Sequence, residues 1–520
     1  MSPNALESAR QTLLVLLPEI LILAVATTMV TAGAFLRAPR KVWSSISAAT
    51  LVIALIALVA LQGQATDPYT SVALNDALSI TARLLFLVAG LILVAMAHDQ
   101  VDDARASEFF GALLFVQAGA MLVASANEIV FLFVGLELVS IPTYLLLYLA
   151  RRNEFTREAA TKYFFLSIFA SALLLFGLAY LYGLMGVGNL KALAMLMTLP
   201  DKPQNQLAMI ATVFILAGLG FRVAAVPFHF YAPDVYQGSP PVIAAMLAWV
   251  PKGVGFLAIL RVLTGVFAGT TPDGFLKNAA FLAWIIAAVT MTLGNTVALS
   301  QNNLKRLFAY SSIAHAGYLM IGVSVAFRNG TRTTGLALGS EALLYYLAAY
   351  AFMTLGVFAV IIALNTGKRA VENVDDLSGL KQTNPWLALS MAICLFSLAG
   401  IPPLAGFFGK FELFAAAFSA SRDDDAAMFR ILALVGAINS AIGAYYYLRI
   451  VVVMYLKRPV GPAIDAKPAW PTTLAVAACA IATVLLGLFA NPAMNAARSA
   501  AESVVAQPAP DKPLAETAGR

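Results

Sequence analysis

The chain has 520 residues, 61% of them hydrophobic and only 12% charged, with a formal net charge of +6. Soluble domains carry about 25% charged and about 45–50% apolar residues, so this composition excludes an ordinary soluble domain and describes a polytopic membrane protein. The positive excess is a topological signal rather than a nucleic-acid one, and no nucleic-acid partner is expected.

Requiring about 20 apolar residues per crossing gives fourteen predicted spans. They lie near 12–36, 42–62, 78–97, 109–126, 128–149, 161–184 and 207–231, then near 240–265, 279–299, 304–327, 335–364, 385–418, 429–457 and 471–491. The first is longer than a signal-peptide apolar region and contains Pro18-Glu19, so it reads as a retained span. Loops after odd-numbered spans hold sixteen basic residues, from Arg37 through Arg151, Arg152, Lys305, Lys368 and Arg369 to Lys467. Loops after even-numbered spans hold seven, Lys191, Lys202, Lys277, Arg328, Arg332, Arg422 and Arg430. Basic residues collect on the cytoplasmic side, so both termini are expected outside. The tail from 496, rich in alanine, proline and charge, reads as disordered.

Spans 7 and 12 are predicted to be broken helices. Span 7 has Arg222 and then Pro227; span 12, in SLAGIPPLAGFFGKFELF, has Pro402-Pro403 and then Lys410. An interior proline removes a helix hydrogen bond and clashes with the preceding turn, and broken helices in corresponding halves point to a transport path. The expected organisation is an N-terminal three-helix unit over 1–108 and a first five-helix repeat over 109–270 (spans 4–8). An inverted second repeat follows over 271–460 (spans 9–13), then a C-terminal helix over 461–495 and the tail, 496–520.

Ionisable residues inside these spans are the candidates for function, because a charge at the bilayer centre costs at least about 2.5–3.5 kcal/mol. Glu137 lies nine residues into span 5 and Lys252 eleven residues past Pro241, roughly 13 Å and 16 Å deep at the helical rise. Arg222 sits halfway along span 7, and Lys410 follows the proline break by seven residues. A structural ion pair, for instance Glu137 with Arg222, is the bland reading of any one of them. Four near one plane, with two broken helices, point to a charge relay. Burial favours the neutral form of a lysine, so it can gain and lose a proton.

Lesser candidates are His315, which could bridge the two halves through water or be a buried histidine satisfied by a neighbouring Ser or Tyr, and His229, which could line the break or cap freed carbonyls. Lys305 stands at the cytoplasmic edge, as either pathway residue or topology marker. Glu19 and Lys162 are expected near interfaces, snorkelling. Glu412, at i+2 from Lys410, does not share its helix face. The histidines, three in all, and the two cysteines are scattered, with no CxxC, Walker loop or strand–GxGxxG–helix unit. Any redox or nucleotide cofactor is expected on another chain.

The segments GLELVSIPTYLL, FRVAAVPFHFYAPDVYQGSPP, WVPKGVGFLAILRV, NNLKRLFAYSSIAHAGYLMIGV and SLAGIPPLAGFFGKFELF resemble the antiporter-like membrane subunits of respiratory complex I. The resemblance is nearest to the subunit N family of bacterial NADH–quinone oxidoreductase, the counterpart of mitochondrial subunit 2. It implies an all-α fold of fourteen helices with two inverted five-helix repeats, in the bacterial inner membrane. It further implies a proton channel through Glu137, Lys252 and Lys410, and partners that are other membrane and peripheral subunits. NADH, FMN, iron–sulfur clusters and quinone would then sit on those partners. The fourth position of the family's proton channel holds Arg222 instead of lysine. An arginine keeps its charge, so it would act as an electrostatic latch rather than a proton carrier.

The expected function is therefore a proton-translocating subunit of an NADH–quinone oxidoreductase. The alternatives are a subunit of a multisubunit sodium/proton antiporter, or a non-pumping structural subunit of the membrane arm.

Overall fold

A computed structural model of the chain describes residues 3–149, 154–197, 205–264, 266, 274–328, 333–365, 371–420, 426–459 and 466–505. These residues form a helical bundle without strands, apart from three isolated bridges between loops. A bilayer core offers no water to backbone N–H and C=O groups, so long apolar runs satisfy them internally as helices.

The N-terminal unit comprises α1 (Pro3–Val15), α2 (Leu17–Gly33), α3 (Arg40–Ala60) and α4 (Ala77–Ala97). Next come α5 (Ala106–Ser125), α6 (Ile129–Leu149), α7 (Glu154–Met185), the short α8 (Leu190–Leu196), α9 (Asn205–Val223), the short α10 (Ala232–Gly238) and α11 (Pro241–Ile259). The second half holds α12 (Gly274–Ala298), α13 (Leu304–Arg328), α14 (Thr333–Leu364), α15 (Pro385–Ala399), α16 (Ala405–Ser419) and α17 (Ala426–Leu456). The chain closes with α18 (Trp470–Leu488) and α19 (Ala490–Val505).

Among the described residues, twelve helical stretches are long and apolar enough to cross a membrane, or up to thirteen if the bent pair α1–α2 is one span. The apolar α15 has only 15 residues and is followed across a break by α16. The centre of the bundle is α5, α11, α13 and α14, whose residues are almost all buried. Helices α3, α7 and α17 form the outside, with large apolar side chains such as Ile56, Phe165, Phe176 and Tyr445 exposed.

Small residues bring the paired helices close. A Cβ on Gly294 of α12 would meet the backbone of Ala314 on α13 at 2.6 Å. Only glycine permits that approach, as is common between membrane helices.

Several expectations change. The first span is not straight, since α1 and α2 meet at 65° just before Pro18. The expected break in span 7 is present: α9 stops at Val223, the chain is irregular to Tyr231, and Pro227 lies in that interruption. The expected disorder from 496 is overturned as far as Val505. There α19 buries Ala497, Ala500, Ala501 and Val504, an i, i+3, i+4, i+7 stripe of small residues that the alanine-rich composition concealed. Residues 506–520 lie outside the described residues, as do Arg151, Arg152, Lys202, Arg332, Lys368, Arg369 and Arg422 from the loop-charge count.

Glu19 does not snorkel. It is fully buried, and its Oε2 accepts a 2.5 Å hydrogen bond from Arg83 Nη2, which also donates to the Val15 carbonyl at 2.7 Å. The sequence reading weighed Glu19 alone. Arg83 of α4, buried at the same level, supplies the counter-charge that removes any need to reach the interface.

Breaking a buried pair by removing one partner costs about 3–5 kcal/mol, whereas replacing both by apolar groups is often neutral. Thermal unfolding of the purified assembly should therefore show Arg83→Met strongly destabilised and the Arg83→Met/Glu19→Leu double variant largely restored.

Candidate functional site

The site begins on α6 and α9. Arg222, in the last turn of α9, donates from Nη2 to Glu137 Oε1 at 2.9 Å and from Nη1 to the Leu136 carbonyl at 3.0 Å and Ser140 Oγ at 2.5 Å. Ser171 of α7 donates to the same Glu137 oxygen at 2.5 Å. The guanidinium is thus held by one carboxylate and neutral oxygens. Just beyond it Ala224, at φ +56°, turns the chain out of the helix. Tyr231 stacks on Phe221 with ring centroids 4.3 Å apart and donates to its carbonyl at 3.0 Å, which seals the break.

The break leads to α10, which delivers Tyr236 to the next group. Lys252 on α11 is buried and donates from Nζ to both the carbonyl and the hydroxyl of Ser312 on α13. The same hydroxyl accepts from Tyr350 at 2.9 Å and lies 3.2 Å from Tyr236 OH. Arg222 packs beside this helix, since a Cβ on Gly255 would lie 3.3 Å from Arg222 Cβ.

One turn along α13, buried His315 pairs Nδ1 with Tyr346 OH at 2.6 Å and Nε2 with Tyr447 OH at 2.9 Å. Tyr447 also bonds Ser311. The imidazole stacks on Tyr350, with centroids 4.8 Å apart. His315 therefore joins the Lys252 group, through its stack on Tyr350, to Tyr346 and Tyr447.

Lys410 completes the row. Its Nζ donates to the carbonyls of Leu398 and Ala399 at 2.8 and 3.1 Å and to Ser440 Oγ at 3.0 Å, and lies 5.1 Å from the Tyr318 ring centre. Those carbonyls are the unpaired C-terminal end of α15, the negative end of its dipole. The chain leaves α15 at Gly400 with φ +89°, where a Cβ would lie 3.2 Å from Lys410 Cδ. Glycine is needed both for the turn and for the lysine.

Lys305 uses the same device where α10 ends, donating to the Gln237 and Ser239 carbonyls at 2.6 and 2.7 Å. It lines a cleft of about 670 Å³ together with Asp102, Arg105, Thr156 and Glu372. His229 is not brought into the row; it stands partly buried in the segment between α9 and α10. Lys162 is half-exposed and shares Asp234 of α10 with Arg306 at 2.6 and 2.8 Å.

Sequence reasoning offered a Ser or Tyr partner for a buried His315 but did not identify which hydroxyls gather there. Tyr346 and Tyr350 are i, i+4 on α14, and Ser311, Ser312 and His315 lie within one turn of α13. That spacing marks one face, but nothing in it says which helix the face meets. It also left Glu341 unassigned, whereas its Oε2 accepts from Arg498 Nε on α19 at 3.1 Å.

The family profile described as NADH:quinone oxidoreductase/Mrp antiporter, TM, matches residues 126–440. The chain is 37% identical to NADH-quinone oxidoreductase subunit N of Paramagnetospirillum magneticum over 497 residues, covering 94% of this chain and 96% of that one. The chain belongs to the subunit N family. A subunit N of Methylobacterium nodulans is 34% identical over 512 residues, covering 96% of this chain and all of that one.

The fold matches a chain of respiratory complex I from Thermus thermophilus with bound aureothin, at TM-score 0.75 and 31% identity, covering 93% of this chain and 99% of that one. It also matches a chain of the Mrp complex of Dietzia sp. DQ12-45-1b, at TM-score 0.80 over 97% of this chain and 98% of that one; at 21% identity this is a likeness of fold. The subunit N family and the Mrp antiporters thus share this helical architecture.

Asp234 lies outside the spans. Partial burial works to raise its pKa, but hydrogen bonds and charge from Lys162 and Arg306 outweigh that and hold it below the usual aspartate value. A carboxylate with a depressed folded pKa stabilises above its unfolded pKa, and that stability is lost as pH falls through the folded value. Thermal melts of the assembly should show Asp234→Asn less stable at neutral pH by at most about 1 kcal/mol, since the group is partly exposed. The difference should vanish on acidification below the ordinary aspartate range.

Proposed function

We propose that this chain is a proton-translocating membrane subunit of an NADH–quinone oxidoreductase in the bacterial inner membrane. It would work beside other antiporter-like and peripheral subunits, with NADH, FMN, iron–sulfur clusters and quinone on those partners. The observation that carries the reading is a contrast among buried cations. Arg83, Arg222 and Arg261 each face a carboxylate, namely Glu19, Glu137 and Asp76. Lys252 and Lys410 are held by neutral oxygens, with no carboxylate within ion-pair distance among the described residues. An arginine stays charged and needs its counter-ion, whereas a lysine among carbonyls and hydroxyls persists as ammonium or amine according to the local field. Only such a group can pass a proton on.

In this reading the cleft beside Lys305 is the cytoplasmic access. Lys252 receives the proton from that side and passes it across the junction of two inverted repeats, α5–α11 and α12–α17, to Ser312, and Tyr350, His315, Tyr447 and Tyr346 conduct it on through the second repeat. Lys410 passes it outward. The hydrogen-bonded groups are separate, so water bridges them, as it does between buried polar groups elsewhere. The Glu137–Arg222 pair is the latch. When neighbouring subunits change its field, the balance between charged and neutral Lys252 shifts. Fourteen spans and outward termini go with this reading.

The test is NADH-driven proton uptake in inverted vesicles, set against NADH oxidation. Lys410→Ala should assemble and lower proton uptake per NADH. Arg222→Lys should pump at least as well as wild type, because lysine keeps the charge facing Glu137. Wild-type uptake in Lys410→Ala would leave the lysines as structural groups.

A further inference from the structure

His315 of α13 touches four tyrosine rings, and two of these also lie beneath a lysine. Tyr350 stacks on the imidazole at 4.8 Å, and its ring centre is 5.9 Å from Lys252 Nζ. Tyr318 meets the imidazole edge-on at 5.7 Å, and its ring centre is 5.1 Å from Lys410 Nζ. Tyr346 and Tyr447, the other two, have no lysine over them among the described residues. Each lysine thus shares one tyrosine ring with the same histidine. The ring differs in kind from the oxygens that also hold Lys410. An oxygen acceptor serves an ammonium or an amine, whereas the face of an aromatic ring attracts only the cation.

Each of the two rings is fixed by its hydroxyl. Tyr350 donates to Ser312 Oγ at 2.9 Å. The Tyr318 hydroxyl accepts from Asn295 Nδ2 of α12 at 3.0 Å and bonds no other side chain among the described residues. Asn295 is buried and fully engaged. Its Oδ1 accepts from Tyr446 OH of α17 at 3.0 Å, and its Nδ2 also donates to the Met291 carbonyl at 2.9 Å and to Asn439 Oδ1 of α17 at 3.4 Å. Two glycines admit it. The close approach at Gly294 brings α12 against Ala314 of α13, and a Cβ on Gly443 of α17 would lie 2.9 Å from Asn295 Oδ1. The amide therefore joins three helices, and a buried polar network with its groups paired is rigid.

We propose that Asn295 is a positioning residue for Lys410, acting through Tyr318. It anchors the Tyr318 hydroxyl so that the ring faces Lys410 and His315 at once, and the ring in turn favours the charged form of the lysine beside that histidine. This rests on the proton-translocation reading above. Asn295 itself makes no hydrogen bond to Lys410 or His315 among the described residues.

The test compares Asn295→Leu, Tyr318→Phe, the double variant of the two, and Lys410→Ala, each in the assembled complex in inverted vesicles, by proton uptake per NADH oxidised. The two single variants delete opposite ends of one hydrogen bond, and Tyr318→Phe keeps the ring but leaves it unanchored. Each should lower uptake per NADH to a level between wild type and Lys410→Ala, and the double variant should fall no further than Asn295→Leu, because residues that act through one contact are not additive. Wild-type uptake in either single variant, with Lys410→Ala impaired, overturns the proposal and leaves the relay standing. Additive losses in the double variant also overturn it, since Asn295 would then act by a route other than Tyr318. Wild-type uptake in Lys410→Ala overturns the relay itself, and the role of Asn295 with it. If Asn295→Leu does not assemble, Tyr318→Phe decides, because it leaves Asn295 its other bonds, and wild-type uptake there overturns the proposal.

Discussion

A cation taken out of water has two ways to persist, beside an anion or by giving up its proton, and the arrangement of this bundle follows from which way each buried cation takes. The desolvation penalty is several kcal/mol per ion even after relaxation. Arginine does not give up its proton under ordinary conditions. Arg83, Arg222 and Arg261 accordingly each meet a carboxylate carried by a different helix, α2, α6 and the start of α4. These pairs fix helix positions. Lys252 and Lys410 face no carboxylate within ion-pair distance among the described residues; their partners are neutral oxygens, which accept a hydrogen bond from either protonation state.

The supply of such oxygens explains why the helices break where they do. A continuous helix spends its carbonyls on its own backbone. Ending α15 at Ala399 releases two carbonyls that both turn to Lys410, and ending α10 at Gly238 gives Lys305 the carbonyls of Gln237 and Ser239. The remaining acceptors are hydroxyls from α10, α13, α14 and α17, gathered where the central helices are most buried. A hydroxyl both donates and accepts, so a row of them can reverse direction after each transfer. That property belongs to Tyr350, Tyr447 and Ser312, whereas the arginine pairs lack it.

Much of this was legible in the chain itself. Depth along a span can be counted, so Glu137, Arg222, Lys252 and Lys410 emerged from apolar context, and Pro227 and the pair Pro402-Pro403 located the breaks near 224–231 and 400–404. Partners across helices were not legible. Glu19 looked interfacial because its depth was counted without Arg83, which sits on a helix 64 residues away. Tyrosines carry no penalty that marks them in an apolar run, so the hydroxyl row was invisible until α13, α14 and α17 were packed together. The helix α19 was concealed for a compositional reason: alanine reads the same in a packed stripe and in a solvated tail, and only burial distinguishes them.

The most direct measurement on the connection between the two lysines concerns a single oxygen atom. Tyr447 OH joins Ser311 to His315 Nε2, and Tyr447→Phe removes that oxygen while keeping the ring. Proton uptake per NADH in inverted vesicles should fall to the level of a chain without Lys410, in a complex that assembles normally. Wild-type uptake in Tyr447→Phe would contradict the account, because protons would then pass from Lys252 to Lys410 without the hydroxyl row.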